Sequence, residues 1–167
     1  MKLKLAAIVL ALSPLFTVAS AQAAEASVEW INPDEYRDVR PANESRKRFQ
    51  ERTFKEFEEF FVELAAKLPE GQKLHVKVTN VDLAGNVEFG RTQQIRIVRQ
   101  IHFPRFEFEY SLLDADKEVV TAGQEDLKDM NFLHHVNTKV NSESLKYEKY
   151  MIEKWFNQTF ETLIAKS

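Results

Sequence analysis

The stretch from Phe103 to Phe132 constrains the chain most. Phe106, Phe108, Tyr110 and Leu112 alternate with Glu107, Glu109 and Ser111, the period-2 signature of a strand with one apolar and one wet face. Asp114-Ala115-Asp116-Lys117 reads as a turn before a second extended run, so the segment predicts a β-hairpin. An aromatic face of this size has to be covered, and the rest of the chain supplies amphipathic helices and short strands able to cover it. Lys117 stands where a three-residue hairpin loop favours a left-handed Gly, which leaves the register open by one residue. In one register Gly123 falls near Phe108, whose ring would then rest on bare backbone.

Taken in order, Ser27 to Ile31 predicts a short strand, stopped by the turn triplet Asn32-Pro33-Asp34. After Pro41, Asn43 or Ser45 is placed to cap a helix running to Leu68, with Phe49, Thr53, Phe57, Phe60, Phe61, Leu64 and Leu68 on one face. Its other face carries Arg48, Arg52, Lys55, Glu59 and Glu63 and reads as solvated, with i,i+4 ion pairs. Leu74 to Val78 alternates and continues to Leu83, and a helix between two strands is a crossover that makes those strands parallel. Val87 to Gln94 is polar and holds Gly90, which predicts a loop. Ile95 to Val98 opens another extended run, and Pro104 points to an edge position or a bulge. Ser142 or Ser144 caps the last helix, with the stripe Leu145, Ile152, Trp155, Phe156, Thr159, Phe160 and Leu163. The expected fold is α+β (mixed α/β): about four strands in a mixed sheet with a C-terminal β-hairpin, and two main amphipathic helices packed on one face.

The first 23 residues read as a cleavable signal peptide. Lys2 and Lys4 precede an apolar run from Leu5 to Ala19, and small residues follow at Ala21, Ala23 and Ala24, with cleavage favoured after Ala23. The run is short and holds Ser13 and Pro14, so no transmembrane anchor is expected after cleavage. With no cysteine there is neither a lipid-modified N-terminal Cys nor a disulfide. In a two-membrane bacterium such a chain is expected in the periplasm. Loss of Lys2 and Lys4 leaves 21 Lys+Arg against 26 Asp+Glu and moves the net charge from -3 to -5. That acidic balance argues against nucleic acid as a partner. Residues 24–167 suit one globular domain, and its 13 Phe allow a cysteine-free core to stand on aromatic packing.

Several blocks in order carry a resemblance. They are Val28-Glu29-Trp30, Val81-Asp82-Leu83-Ala84-Gly85, Ile95-Arg96-Ile97-Val98, Leu112-Leu113-Asp114-Ala115-Asp116, Leu127 to Phe132 and Tyr147-Glu148-Lys149. Together they make nearly all of the chain after the signal resemble the bacterial secreted family called domain of unknown function 3016. The resemblance implies an exported single-domain protein of Gram-negative bacteria, and it carries no reaction, ligand or catalytic residue.

Chemistry is sparse. A Cys nucleophile is excluded, and no Gly-x-Ser-x-Gly elbow, phosphate-binding Gly loop or His-Glu-x-x-His helix occurs. Glu107 and Glu109 lie on one side of a strand, about 7 Å apart, and read as solvent-side. His102, His134 and His135 read as surface or capping residues, and neither a metal nor a cofactor is expected. Asp82 and Asp129 each interrupt an apolar segment at a strand end, with Asn80 or Asn131 two residues away. Each either lines a crevice at the sheet's edge or caps a turn. Trp30, Tyr36, Tyr147 and Tyr150 fall off the helical stripes, as an exposed aromatic patch would. The binding candidates are therefore Asp82, Asp129, Asn131, His134, Trp30 and Tyr36. The leading expectation is a non-catalytic envelope module binding a protein or glycan. Against it stand a hydrolase or metal-dependent enzyme around Asp82, Asp129 and His134, and a chaperone-like stress protein.

Overall fold

The structure is a computed structural model, and it describes residues 23–90, 92–135 and 144–165. Four strands form a mixed sheet in the order β1-β2-β5-β6: β1 Glu25–Trp30, β2 Lys73–Asp82, β5 Arg105–Leu113 and β6 Val119–Lys128. β1 runs parallel to β2, and β2, β5 and β6 are antiparallel in turn. The parallel pair arises because α1, Arg46–Ala65, crosses between β1 and β2, a connection that returns the chain in its original direction. α3, Lys146–Thr159, closes the fold, with the short helices α2, Phe132–His135, and α4, Glu161–Ile164, flanking it.

The aromatic face of β5 is the floor of the core. Phe106, Phe108, Tyr110 and Leu112 are buried beneath Phe57, Phe61 and Leu64 of α1 and Ile152, Trp155 and Phe156 of α3. Rings meet edge-on, Phe57 on Phe106 at 5.1 Å and Trp155 on Phe108 at 4.7 Å, the geometry that aromatic quadrupoles favour. The helices lie on one sheet face and are joined by Lys149 to Glu56 at 2.8 Å. The opposite face, with Ser27, His75, Lys77, Glu109 and Gln124, is half-buried or exposed, as a one-sided antiparallel sheet allows.

The hairpin register resolves differently from the pairing with Phe108. Gly123 pairs with Tyr110, because Asp114 closes the turn by accepting the N–H groups of Asp116 and Glu118 at 2.9 and 3.0 Å. Lys117 takes the left-handed conformation, φ 65°. Val120 is the extra residue that shifts the register at the start of β6. The segment read as a polar loop is instead half of a second hairpin, β3 Asn86–Phe89 with β4 Gln94–Ile97, here called the arm. Its charged residues mask a short alternation, and its support comes from distant groups described below. β5 is interior, so Pro104 marks neither an edge nor a bulge but the residue before the strand. Ser45 is the N-cap of α1 without a side-chain cap bond. Leu145, at φ 55°, precedes α3 in place of a capping serine; Ser142 lies outside the described residues. Among the described residues no helix is long and apolar enough to cross a membrane.

Candidate functional site

The topology gathers three long connections at one end of the sheet. β1 and β2 end there, β5 begins there and β6 ends there, with Asp82, Arg105 and Lys128 side by side across three strands. All six candidates from the sequence lie in or beside these connections. They do not form one cluster.

Asp82 closes β2. Arg37 approaches its carboxylate at 3.7 Å, yet burial outweighs that pull and raises its pKa. Asp129 follows β6, and its Oδ1 accepts the Asn131 N–H at 2.9 Å, the turn-capping arrangement. His135 Nε2 lies 3.8 Å from the same Oδ1. Asn131 and His134 are exposed. Tyr36 does not belong to an exposed patch: its ring is buried, and its hydroxyl donates to the Val78 carbonyl at 2.8 Å. Burial pushes its phenol pKa up. Trp30 is half-buried, stacked on Phe54 at 4.2 Å, and its Nε1–H donates to Glu58 at 2.8 Å. Both lie off the helical stripes because they pack against the sheet-facing side of α1. Among the described residues no group of three or more His, Cys, Asp or Glu side chains is placed to hold a metal ion.

A separate concavity involves none of the six binding candidates. A cleft of about 540 Å³ opens between α1, the β2–β3 connection, β4 and the start of α3. Phe49, Val98 and Tyr147 are half-buried or exposed along it, and Asn43, Glu44 and Arg52 carry its planar polar groups. The Tyr147 ring is backed edge-on by Phe132 at 4.7 Å. Arg52 holds Glu44 by two hydrogen bonds, 2.6 and 2.8 Å, and that contact lowers the Glu44 pKa. At the floor lies Glu148, a buried carboxyl whose Oε1 accepts the Ala84 N–H at 2.6 Å. Burial pushes its pKa up against the opposing effect of that hydrogen bond. Buried titratable groups with shifted pKa values concentrate at functional sites. A signal for Glu148 was available: it falls between Leu145 and Ile152 at helical spacing, on the apolar stripe of α3.

Arg96 fastens the arm beside this cleft. Its guanidinium meets both oxygens of Asp38, at 3.0 and 3.2 Å, and donates to the Gly85 and Arg40 carbonyls at 3.1 and 2.9 Å. Gly85 makes the close approach possible. It sits at φ 86°, and a Cβ there would lie 2.7 Å from the Ile97 oxygen, inside van der Waals contact and in a conformation that L side chains avoid.

No curated protein and no solved structure matches the chain significantly. The family model described as "Protein of unknown function (DUF3016)" matches residues 24–158. That span takes in the whole sheet, the arm, Asp38, Arg96 and Glu148, and the chain belongs to the DUF3016 family.

Proposed function

We propose that the protein is an exported, non-catalytic binding module of the bacterial envelope and that it takes a glycan in the cleft between α1, α3 and the arm. Residues 1–23, read as a cleavable signal, support export to the periplasm. The observation that carries the ligand assignment is the cleft's composition. Two aromatic rings, Phe49 and Tyr147, line the cleft with Arg52 and Lys146 over one face of each at 5.4 and 5.0 Å, and Asn43, Glu44 and Arg52 offer planar hydrogen-bonding groups beside them. Sugars present the matching pair of surfaces, a C–H face and a ring of hydroxyls, and small-ligand sites combine apolar walls with a few placed polar groups. Amide NMR titration of the chain from Ala24 with a soluble chitin oligosaccharide and with solubilised peptidoglycan strands tests this. Shifts confined to residues 43–53 and 144–148, abolished by Arg52→Ala, are expected. Absence of shifts with both probes overturns the reading.

A hydrolytic alternative has one specific observation behind it. Glu148 and Glu44 line the same cleft, and their surroundings move their pKa values apart, upward for Glu148 and downward for Glu44, the pattern of an acid and base pair. Release of reducing ends from the same glycans, lost in both Glu148→Gln and Glu44→Gln, would establish it; intact glycans after prolonged incubation would dismiss it.

A further inference from the structure

Among the described residues, the connection end also carries most of the exposed large hydrophobic side chains. Of the ten large hydrophobic side chains exposed among the described residues, six belong to it: Phe89, Ile95, Val98, Ile101, Met130 and Leu133. Phe89, Ile101 and Met130 stand out at 86%, 74% and 66% exposure. Polar contacts link the segments that carry these three. Arg99 grips Glu88, next to Phe89, and the Gln100 side chain donates to the Met130 carbonyl. Large exposed apolar side chains gathered at one pole mark an interaction site.

Ile101 also borders a recess of about 440 Å³ on the side of this end away from α1 and α3, lined by Arg37, Asp82, His102, Phe103, Arg105 and Lys128. Three cations, Arg37, Arg105 and Lys128, line it with the carboxylate of Asp82. Arg105 is held by both carboxylate oxygens of Asp126 at 2.8 Å and by Glu107 at 2.9 Å, and Lys128 meets Asp126 at 2.7 Å. Arg37 contacts Asp82 only at 3.7 Å, and its side chain is 64% exposed. Its guanidinium is available for a planar anion such as a phosphate. Apolar prongs beside a recess that presents the loosely paired Arg37 guanidinium match the layering of a bilayer surface, where phosphate headgroups lie above the acyl boundary.

We propose that this end docks on a lipid bilayer bearing anionic phosphate headgroups. One headgroup phosphate occupies the Arg37–Arg105–Lys128 recess while Ile101, Met130 and Phe89 enter the interfacial apolar layer. The cleft lies on the helix side of the same end, so docking does not require a ligand in it. Vesicle sedimentation of the chain from Ala24 is the test. Binding to phosphatidylethanolamine vesicles containing phosphatidylglycerol is expected, with little binding to phosphatidylcholine alone. The triple variant Phe89→Ser/Ile101→Ser/Met130→Ser and the double variant Arg37→Gln/Lys128→Gln should each lose binding by about tenfold or more, while their near-UV circular dichroism stays that of the folded parent. Val62→Ser, exposed on α1, should bind as the parent does. Arg52→Ala, which removes the proposed glycan contact, should also bind as the parent does, so failure of one reading does not mimic failure of the other. No sedimentation with anionic vesicles, or sedimentation indifferent to both the triple and the double variant, overturns the proposal. A photocrosslinker at Ile101 that captures a protein in place of lipid overturns it as well.

Discussion

Arg96 clasps Asp38 through both carboxylate oxygens, at 3.0 and 3.2 Å, across 58 residues of sequence. The pair joins the arm to the connection that follows β1. Replacing Arg96 by Ala leaves Asp38, itself buried, without its partner and frees the Arg40 and Gly85 carbonyls. We expect a loss of about 3 kcal/mol in urea unfolding and faster hydrogen exchange across residues 86–97. Arg96→Lys should recover little, because an ammonium cannot span both oxygens and the carbonyls together. An exchange pattern unchanged in Arg96→Ala would show that the arm is held by other contacts.

Glu148 sets a pH dependence whose sign follows from burial. Its folded pKa is raised above the ordinary value, so over that interval the folded chain binds more protons than the unfolded chain does. The group's contribution is full below the ordinary glutamate value, about 4.3, and is lost as pH rises through the folded value. Glu148→Gln keeps an oxygen for the Ala84 N–H and removes the titration. Its melting temperature should exceed the parent's at neutral and alkaline pH, with the difference shrinking as pH falls toward the ordinary carboxylate value. A constant difference at every pH would refute the assignment.

Tyr110 and Gly123 are coupled across β5 and β6. A Cβ on residue 123 would lie 2.9 Å from the Tyr110 ring carbon Cε1, and that ring is enclosed by Trp155 and Phe160 at 5.1 and 5.9 Å. Gly123→Ala should therefore cost about 1–3 kcal/mol, and a double-mutant cycle with Tyr110→Leu should show that most of the loss depends on the ring. Tyr110→Asp, which buries an unpaired charge, should prevent folding, costing more than about 4 kcal/mol, as read by loss of near-UV circular dichroism.

Asp129 separates a turn cap from a binding group. Its Oδ1 accepts the Asn131 N–H at 2.9 Å, and its own N–H meets the Pro104 carbonyl at 3.3 Å. Asp129→Ala should cost about 1 kcal/mol, and Asp129→Asn, which keeps the acceptor, much less. Denaturant midpoints that do not move in Asp129→Ala would return this residue to the list of ligand contacts.

The candidate site was less legible than the fold, for reasons visible at particular residues. Tyr36 and Trp30 looked exposed because they miss the helical stripe, yet they pack on the sheet side of α1, a direction that helical spacing does not encode. Glu148 was legible as a carboxylate on an apolar stripe. Asp38 was not, since nothing in a polar connection marks one acid as the partner of an arginine 58 positions away. The Val87–Gln94 segment reads as a loop because its charges interrupt the alternation, and the Arg96 contacts that fasten the arm to the connection after β1 are tertiary.

The sequence by itself determined the β5–β6 hairpin, the parallel β1–α1–β2 crossover and the two apolar helix stripes. Those features rest on local periodicity, which a chain carries without reference to its distant parts. Tertiary structure alone decided that Tyr110, and not Phe108, meets Gly123, that Arg96 closes on Asp38, and that Glu44 and Glu148 share one cleft. Each of these depends on register or on the meeting of segments remote in sequence, where a shift of one residue turns a side chain to the other face.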